Sequence, residues 1–159
     1  MSSDCDFMRE ALLEAERAAL SDEVPVGAVA VKDGVIVSRA HNLVETCHSV
    51  SAHAEFKVLR ALERELADWR MTGYTLYVTK EPCLMCTGML INARFSRIVF
   101  GQRDPAGGGC GGAVDLPGLP GVLWRPEVTG GVLEEECAQV MKSFFARVRA
   151  REKNKGSQQ

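Results

Sequence analysis

The chain is predicted to fold as an α/β protein, a sheet covered by helices on both faces, and three observations carry this expectation. Residues 26–31 and 35–40 are short apolar runs rich in β-branched side chains, joined by Lys32-Asp33-Gly34, whose Asp-Gly pair is hairpin turn chemistry. Tyr74-Thr75-Leu76-Tyr77-Val78-Thr79 is the strongest strand signal in the chain, and a proline-led helix follows it. Strand and helix patterns then alternate, which implies helices packed on the faces of one sheet.

Taken in order, residues 7–20 place Met8, Leu12, Ala15 and Ala19 at helical spacing, with Arg9, Glu10, Glu16 and Arg17 turned outward. Pro25 ends that helix. After the hairpin, residues 42–50 have no clean periodicity and read as a loop. Ser51 is then the expected N-cap of a helix reaching about Ala67. Its stripe is Phe56, Leu59, Leu62 and Leu66, broadened by Val58 and Ala61, so His53 and Glu55 fall in its first turn.

Beyond strand 74–79, Lys80-Glu81-Pro82 turns the chain into a helix from Cys83 to about Ala93, and residues 97–101 form another strand. Residues 102–126 carry too many glycines and prolines for a long regular element. A loop of this length is usually functional or disordered. No Gly-Lys-Ser/Thr follows those glycines, so a phosphate loop has no support. Leu133, Cys137, Val140, Met141, Phe144 and Val148 mark a final helix. Glu134, Glu135 and Glu136 stand at its start and basic residues near its end, as the helix dipole prefers. A polar tail over about 151–159 is expected to be flexible. No repeat or linker divides the chain, so residues 1–159 are read as a single domain.

A length of 159 residues with 46% hydrophobic and 25% charged content suits one globular domain. The net charge of −2 gives no global sign of a nucleic-acid binder. The cations between Lys142 and Lys155, set against Glu152 alone, either grip phosphates or simply complement a helix end. The acidic, non-apolar start does not read as a signal peptide, and no apolar run reaches the ~18 residues of a membrane span. The expected location is cytoplasmic, with no membrane partner. Of six cysteines, Cys83 and Cys86 alone sit at ligand spacing. Cys5, Cys47, Cys110 and Cys137 are read as reduced core or loop residues.

The chemistry concentrates in Ala52-His53-Ala54-Glu55 and Pro82-Cys83-Leu84-Met85-Cys86. Cysteines three apart project from one helix face, and a helix N-terminus favours thiolate over thiol. One imidazole and two thiolates are the protein ligands of a catalytic zinc site, which keeps a coordination position open for water. Glu55 lies two residues beyond the histidine, placed to take a proton from that water and return it to a leaving group. Either motif alone is weak, since Cys-x-x-Cys also serves as a redox pair. His41 and His48 lack ligand-spaced partners and read as non-ligands.

The spaced His-x-Glu and Pro-Cys-x-x-Cys segments match the signature of the cytidine and nucleobase deaminase superfamily. The resemblance extends through Glu23-Val24-Pro25-Val26-Gly27-Ala28, Ala40-His41-Asn42, Leu76-Tyr77-Val78-Thr79, Val99-Phe100-Gly101 and Thr129-Gly130-Gly131-Val132-Leu133. Over nearly its whole length the chain is similar to the bacterial tRNA-specific adenosine deaminases. That resemblance implies a three-layer α/β/α sandwich around a mixed five-stranded sheet, one Zn²⁺ per subunit, and a homodimer. It implies conversion of the wobble adenosine of a tRNA anticodon stem-loop to inosine. His53, Cys83 and Cys86 would hold zinc and Glu55 would shuttle protons. Asn42 and Ala54 would contact substrate in the pocket, with Asp104, Phe145 and Arg149 near the anticodon loop. Phe144 is expected in the core, leaving Phe145 as the stacking surface. The sequence departs from the family pattern at Thr87-Gly88-Met89 and across residues 117–125. Two rival readings are a deaminase of a free base such as guanine or cytosine, and a non-catalytic zinc- or RNA-binding subunit.

Overall fold

The structure, a computed structural model, describes residues 2–158. Helix α1 (Asp4–Leu20) starts three residues earlier than its apolar stripe suggests. Ser3 caps it, in a reciprocal capping box with Asp6. Strands β1 (Gly27–Lys32) and β2 (Val35–His41) form the expected hairpin. Asp33 and Gly34 both take positive φ, 50° and 77°, as a tight right-twisted hairpin turn requires. A short helix, α2 (Val44–Cys47), interrupts the segment read as loop.

Helix α3 (Ala54–Leu66) is capped by His53 rather than Ser51, whose hydroxyl pairs with Ser49 instead. The buried stripe of α3 is Ala54, Glu55, Val58, Leu59 and Leu62, while Ala61 and Leu66 are exposed. The stripe is therefore rotated from the one read in sequence, because the helix presents Glu55 inward. Strand β3 (Tyr74–Lys80), helix α4 (Leu84–Asn92) and strand β4 (Arg97–Gln102) follow as expected to within a residue or two. A strand the sequence reading omitted, β5 (Glu127–Thr129), extends the sheet beside β4. At three residues it is too short to show an alternation. Helix α5 (Glu134–Gly156) stays regular through the region expected to be a flexible tail. Lys153 and Lys155 complement its C-terminal dipole, and Arg151 pairs with Asp22 at 2.9 Å. Position 159 lies outside the described residues.

The sheet order is β2-β1-β3-β4-β5, antiparallel on the β1 side and parallel from β3 to β5. Side chains alternate across it. Ala28, Ala30, Leu76, Val78, Ile98 and Phe100 join one core with residues of α3 and α4. Val29, Val31, Tyr77 and Val99 join the other, under α1 and Cys137 of α5. This is the three-layer sandwich with a mixed five-stranded sheet. The period of two in β1, β3 and β4 produces it, because each strand feeds both cores. Among the described residues, no helix is long and apolar enough to cross a membrane.

Candidate active site

The first turns of α3 and α4 meet at one place. His53 and Cys83 are the N-cap residues of these helices, both with extended backbone, and Cys86 lies one turn into α4. Proline at 82 sets the entry to α4, and the Cys83 sulfur accepts the Cys86 N–H at 3.5 Å. His53 Nδ1 lies 3.7 Å from Cys83 Sγ and 3.4 Å from Cys86 Sγ. A tetrahedral zinc with bonds of ~2.0 Å to nitrogen and ~2.3 Å to sulfur would separate those atoms by about 3.5 Å. All the ligand atoms lie within 4.8 Å of one another. The donor set and its spacing fit zinc with one coordination position free.

Electrostatics around the cluster favour an anionic sulfur at Cys83 and a protonated one at Cys86. The hydrogen bond from Cys86 pulls the Cys83 thiol down to about 4 against its burial, with His53 helping. Cys86 holds the shared proton and is pushed up by that bond, by burial and by Glu55. A metal ion bound here would displace this proton and be held by both sulfurs as thiolates. The Cys83 hydrogen bond raises His53. Glu55 is buried beside Cys86, and desolvation raises its carboxyl above the ordinary carboxylate range. A raised carboxyl at the metal's edge is suited to both accepting and returning a proton.

A cavity of about 300 Å³ opens onto His53, Glu55 and Cys83, at the small end of ligand-sized pockets. Asn42, Ala54 and Asp104 line it as well. Asn42 is buried, with Oδ1 accepting Val44 N–H and Nδ2 donating to the Val24 carbonyl, both at 3.2 Å. Phe145 and Arg149 do not line the cavity. They sit on exposed positions of α5, Phe145 edge-on to the buried Phe144 with ring centres 5.2 Å apart. His41 pairs with Glu14 at 3.0 Å, and His48 takes a left-handed cap conformation after α2; neither approaches the cluster. The cysteines outside the cluster are all free.

Sequence reasoning missed two buried carboxylates that shape this pocket. Glu23 accepts Glu45 N–H at 3.0 Å and Thr46 N–H at 2.8 Å, fixing α2 over the cavity. Burial would raise its pKa, but those backbone donors outweigh it and hold the carboxyl below its ordinary value. Glu81 accepts N–H groups from Asp104 and Cys110 at 3.1 Å and from Gly112 at 2.9 Å. The glycine-rich loop thus wraps one anion, and a Cβ at Gly108 or Gly112 would collide with the Glu81 carboxylate. The signal for this lay in the crowd of glycines, which close backbone approach demands. Thr87, at the departure from the family pattern, is fully buried and donates to the Pro82 carbonyl at 3.2 Å. It also touches Cys110 Sγ at 3.5 Å, tying α4 to the same loop.

With this geometry in hand, comparison with known proteins places the chain. A family model described as the cytidine and deoxycytidylate deaminase zinc-binding region matches residues 1–102. The tRNA-specific adenosine deaminase of Bacillus subtilis strain 168 is 44% identical over 96% of this chain and 95% of its own length. A solved structure from work on A-to-I editing by tRNA A34 deaminases at the wobble position superposes with a TM-score of 0.82. It is 40% identical over 84% of this chain and 97% of its own. A guanine deaminase from Bacillus subtilis superposes less completely, with a TM-score of 0.60 and 30% identity over 65% of this chain and 66% of its own. The family's zinc-binding description agrees with the His53, Cys83 and Cys86 cluster. By sequence match, fold and metal-ligand cluster together, the chain belongs to the cytidine and deoxycytidylate deaminase family, on the branch of the tRNA-specific adenosine deaminases.

Proposed function

We propose that the protein is a zinc-dependent hydrolytic deaminase that converts adenosine to inosine at the wobble position of a tRNA anticodon. The observation that carries this is the meeting of a three-ligand cluster and a buried carboxylate at the floor of a base-sized cavity. The full-length similarity to tRNA-specific adenosine deaminases supports the substrate.

His53 Nδ1, Cys83 Sγ and Cys86 Sγ would hold the metal, which when bound would supply an acidified water at neutral pH. Glu55 takes a proton from that water and delivers it to N1 of adenine as oxygen adds at C6. It then passes the second proton to the 6-amino group, which departs as ammonia and leaves inosine. Burial serves this work, because a carboxyl held above its ordinary range by desolvation takes up a proton readily. Asn42 and Ala54 border the base, with Asn42 already steadied by its backbone bonds. Asp104 stands at the rim. Phe145 and Arg149 lie outside the cavity, so their role is with flanking RNA, as stacking surface and phosphate cation. The same reading makes the protein a cytoplasmic homodimer, in keeping with where bacterial tRNA is modified and with the resemblance.

The test is an assay of the purified zinc-loaded protein against total tRNA with inosine readout, run beside free guanine, cytosine and adenosine. Inosine at the wobble position is expected. Ammonia from a free base with no inosine in any tRNA would replace this substrate with the free base.

A further inference from the structure

The charges around the cavity are the opposite of what a polyanion needs, with a single exception. Glu23, Glu45, Glu55, Glu81 and Asp104 all border it, and Lys80 is the one lysine or arginine to do so among the described residues. An acid-lined cavity admits an uncharged base and repels phosphate. The phosphates on either side of an inserted base must therefore remain at the mouth, where exposed Glu45 and half-buried Asp104 would oppose them.

Lys80 ends β3, three residues before Cys83, and its ammonium pairs with Asp104 Oδ2 at 3.4 Å. The other Asp104 oxygen accepts Ala106 and Gly107 N–H, each at 3.1 Å. The carboxylate is thus fixed by the loop and in turn aims the lysine. An ammonium has three donors, and Asp104 is the single ion-pair partner of this one among the described residues, with the side chain 33% exposed. A cation aimed by a neighbouring acid, half in solvent at the rim of an acidic cavity, is placed to meet one incoming phosphate.

We propose that Lys80 is a specificity-determining residue that binds the phosphate adjoining the nucleotide under attack, so that a base carried in a polynucleotide is favoured over a free one. This rests on the RNA-deaminase reading above. Asp104 is then a positioning residue, acting on RNA through Lys80.

The test is a cycle between protein and RNA charge. Affinities are measured for an anticodon stem-loop with adenosine at the wobble position, using zinc-loaded protein in a Glu55→Ala background to keep the RNA unconverted. The RNA carries its natural phosphates or a neutral methylphosphonate on one side or the other of that adenosine. Lys80→Ala should weaken binding about tenfold and lower the salt slope by about 0.7, one phosphate contact's worth on a single strand. Lys80→Arg should restore most of it. One of the two methylphosphonates should weaken wild-type Lys80 protein similarly and cost the Lys80→Ala protein nothing further. Losses that multiply instead, or an unchanged salt slope, would overturn the Lys80 proposal alone. A stem-loop that the protein with native Glu55 never deaminates would overturn the RNA-deaminase reading and this proposal with it.

Discussion

One wall of the pocket is made from the first turns of α3 and α4; its rim is made from loop chain gathered around Glu23 and Glu81. On the helical wall, ordinary helix ends supply the electrostatics, and proline and N-cap geometry aim His53, Cys83 and Cys86. At the rim no regular element is available, so buried carboxylates gather backbone N–H groups from otherwise structureless chain. The helical wall holds the His53, Cys83 and Cys86 cluster and the buried Glu55. The rim decides what reaches them, and its order depends on a few charge-assisted hydrogen bonds of about 1.5–3 kcal/mol each.

Breaking the helical wall should have the largest effect. Cys86→Ala removes a ligand buried at the start of α4. Zinc content by atomic absorption should fall to background and deamination should vanish with it, as should treatment of the native protein with a strong chelator. Zinc-loaded protein with full turnover after either treatment would disconnect the cluster from the reaction.

The rim should fail more gently. Glu81→Gln keeps one acceptor oxygen where three backbone donors converge. Stability should drop by about 1–3 kcal/mol, while zinc stays bound. Displacing Asp104 should lower kcat/KM on RNA by up to about tenfold, the loss expected when Lys80 is no longer aimed. Amide hydrogen exchange should speed up at Asp104, Cys110 and Gly112 and stay slow in α4, separating a loosened rim from a general loss of structure. Gly108→Ala, which forces a methyl against the same carboxylate, should reproduce the pattern.

Glu23 gives a smaller effect with a definite pH sign. Its folded-state pKa is lowered below the ordinary 4.5, so its contribution is full above that value and is lost as pH falls through the folded value. Glu23→Gln should therefore lower Tm near neutral pH, and the gap from wild type should close as pH drops below about 4.5. A gap that widens in acid would mean the carboxylate is not held by Glu45 and Thr46. The smallest effect is expected from Arg149→Ala, on exposed α5. RNA binding should weaken by a fewfold and its salt slope should fall by less than 1, with zinc content untouched.

The same contrast explains what the sequence could reveal. Alternation in β1, β3 and β4 is legible because each strand packs both faces, and the two motifs are legible because helix-start spacing dictates metal geometry. Ser51 misled as a cap because metal-ligand placement gives the N-cap position to His53, a residue with no capping hydrogen bond of its own. Glu55 turned the α3 stripe because a buried carboxylate beside the ligand cluster occupies a core position. Glu23 and Glu81 were invisible to pattern reading, which sends acids to the surface unless a partner is known, and their partners are backbone groups 22 to 31 residues away. Strand β5 and helix α2 are too short to carry a period. Helix α5 continues past the point where its apolar stripe ends, and the exposed Arg151–Asp22 pair there is a contact set by tertiary structure.

The central claim is that a metal held by three side chains and a proton carried by a fourth perform the deamination in one cavity. Glu55→Ala separates the two most directly, measured as zinc per subunit together with inosine formed in tRNA. The expected result is one zinc per subunit with turnover reduced by a factor of about 10² to 10⁴ or more. Full zinc with undiminished inosine formation would contradict the role of Glu55 and with it this account of the site.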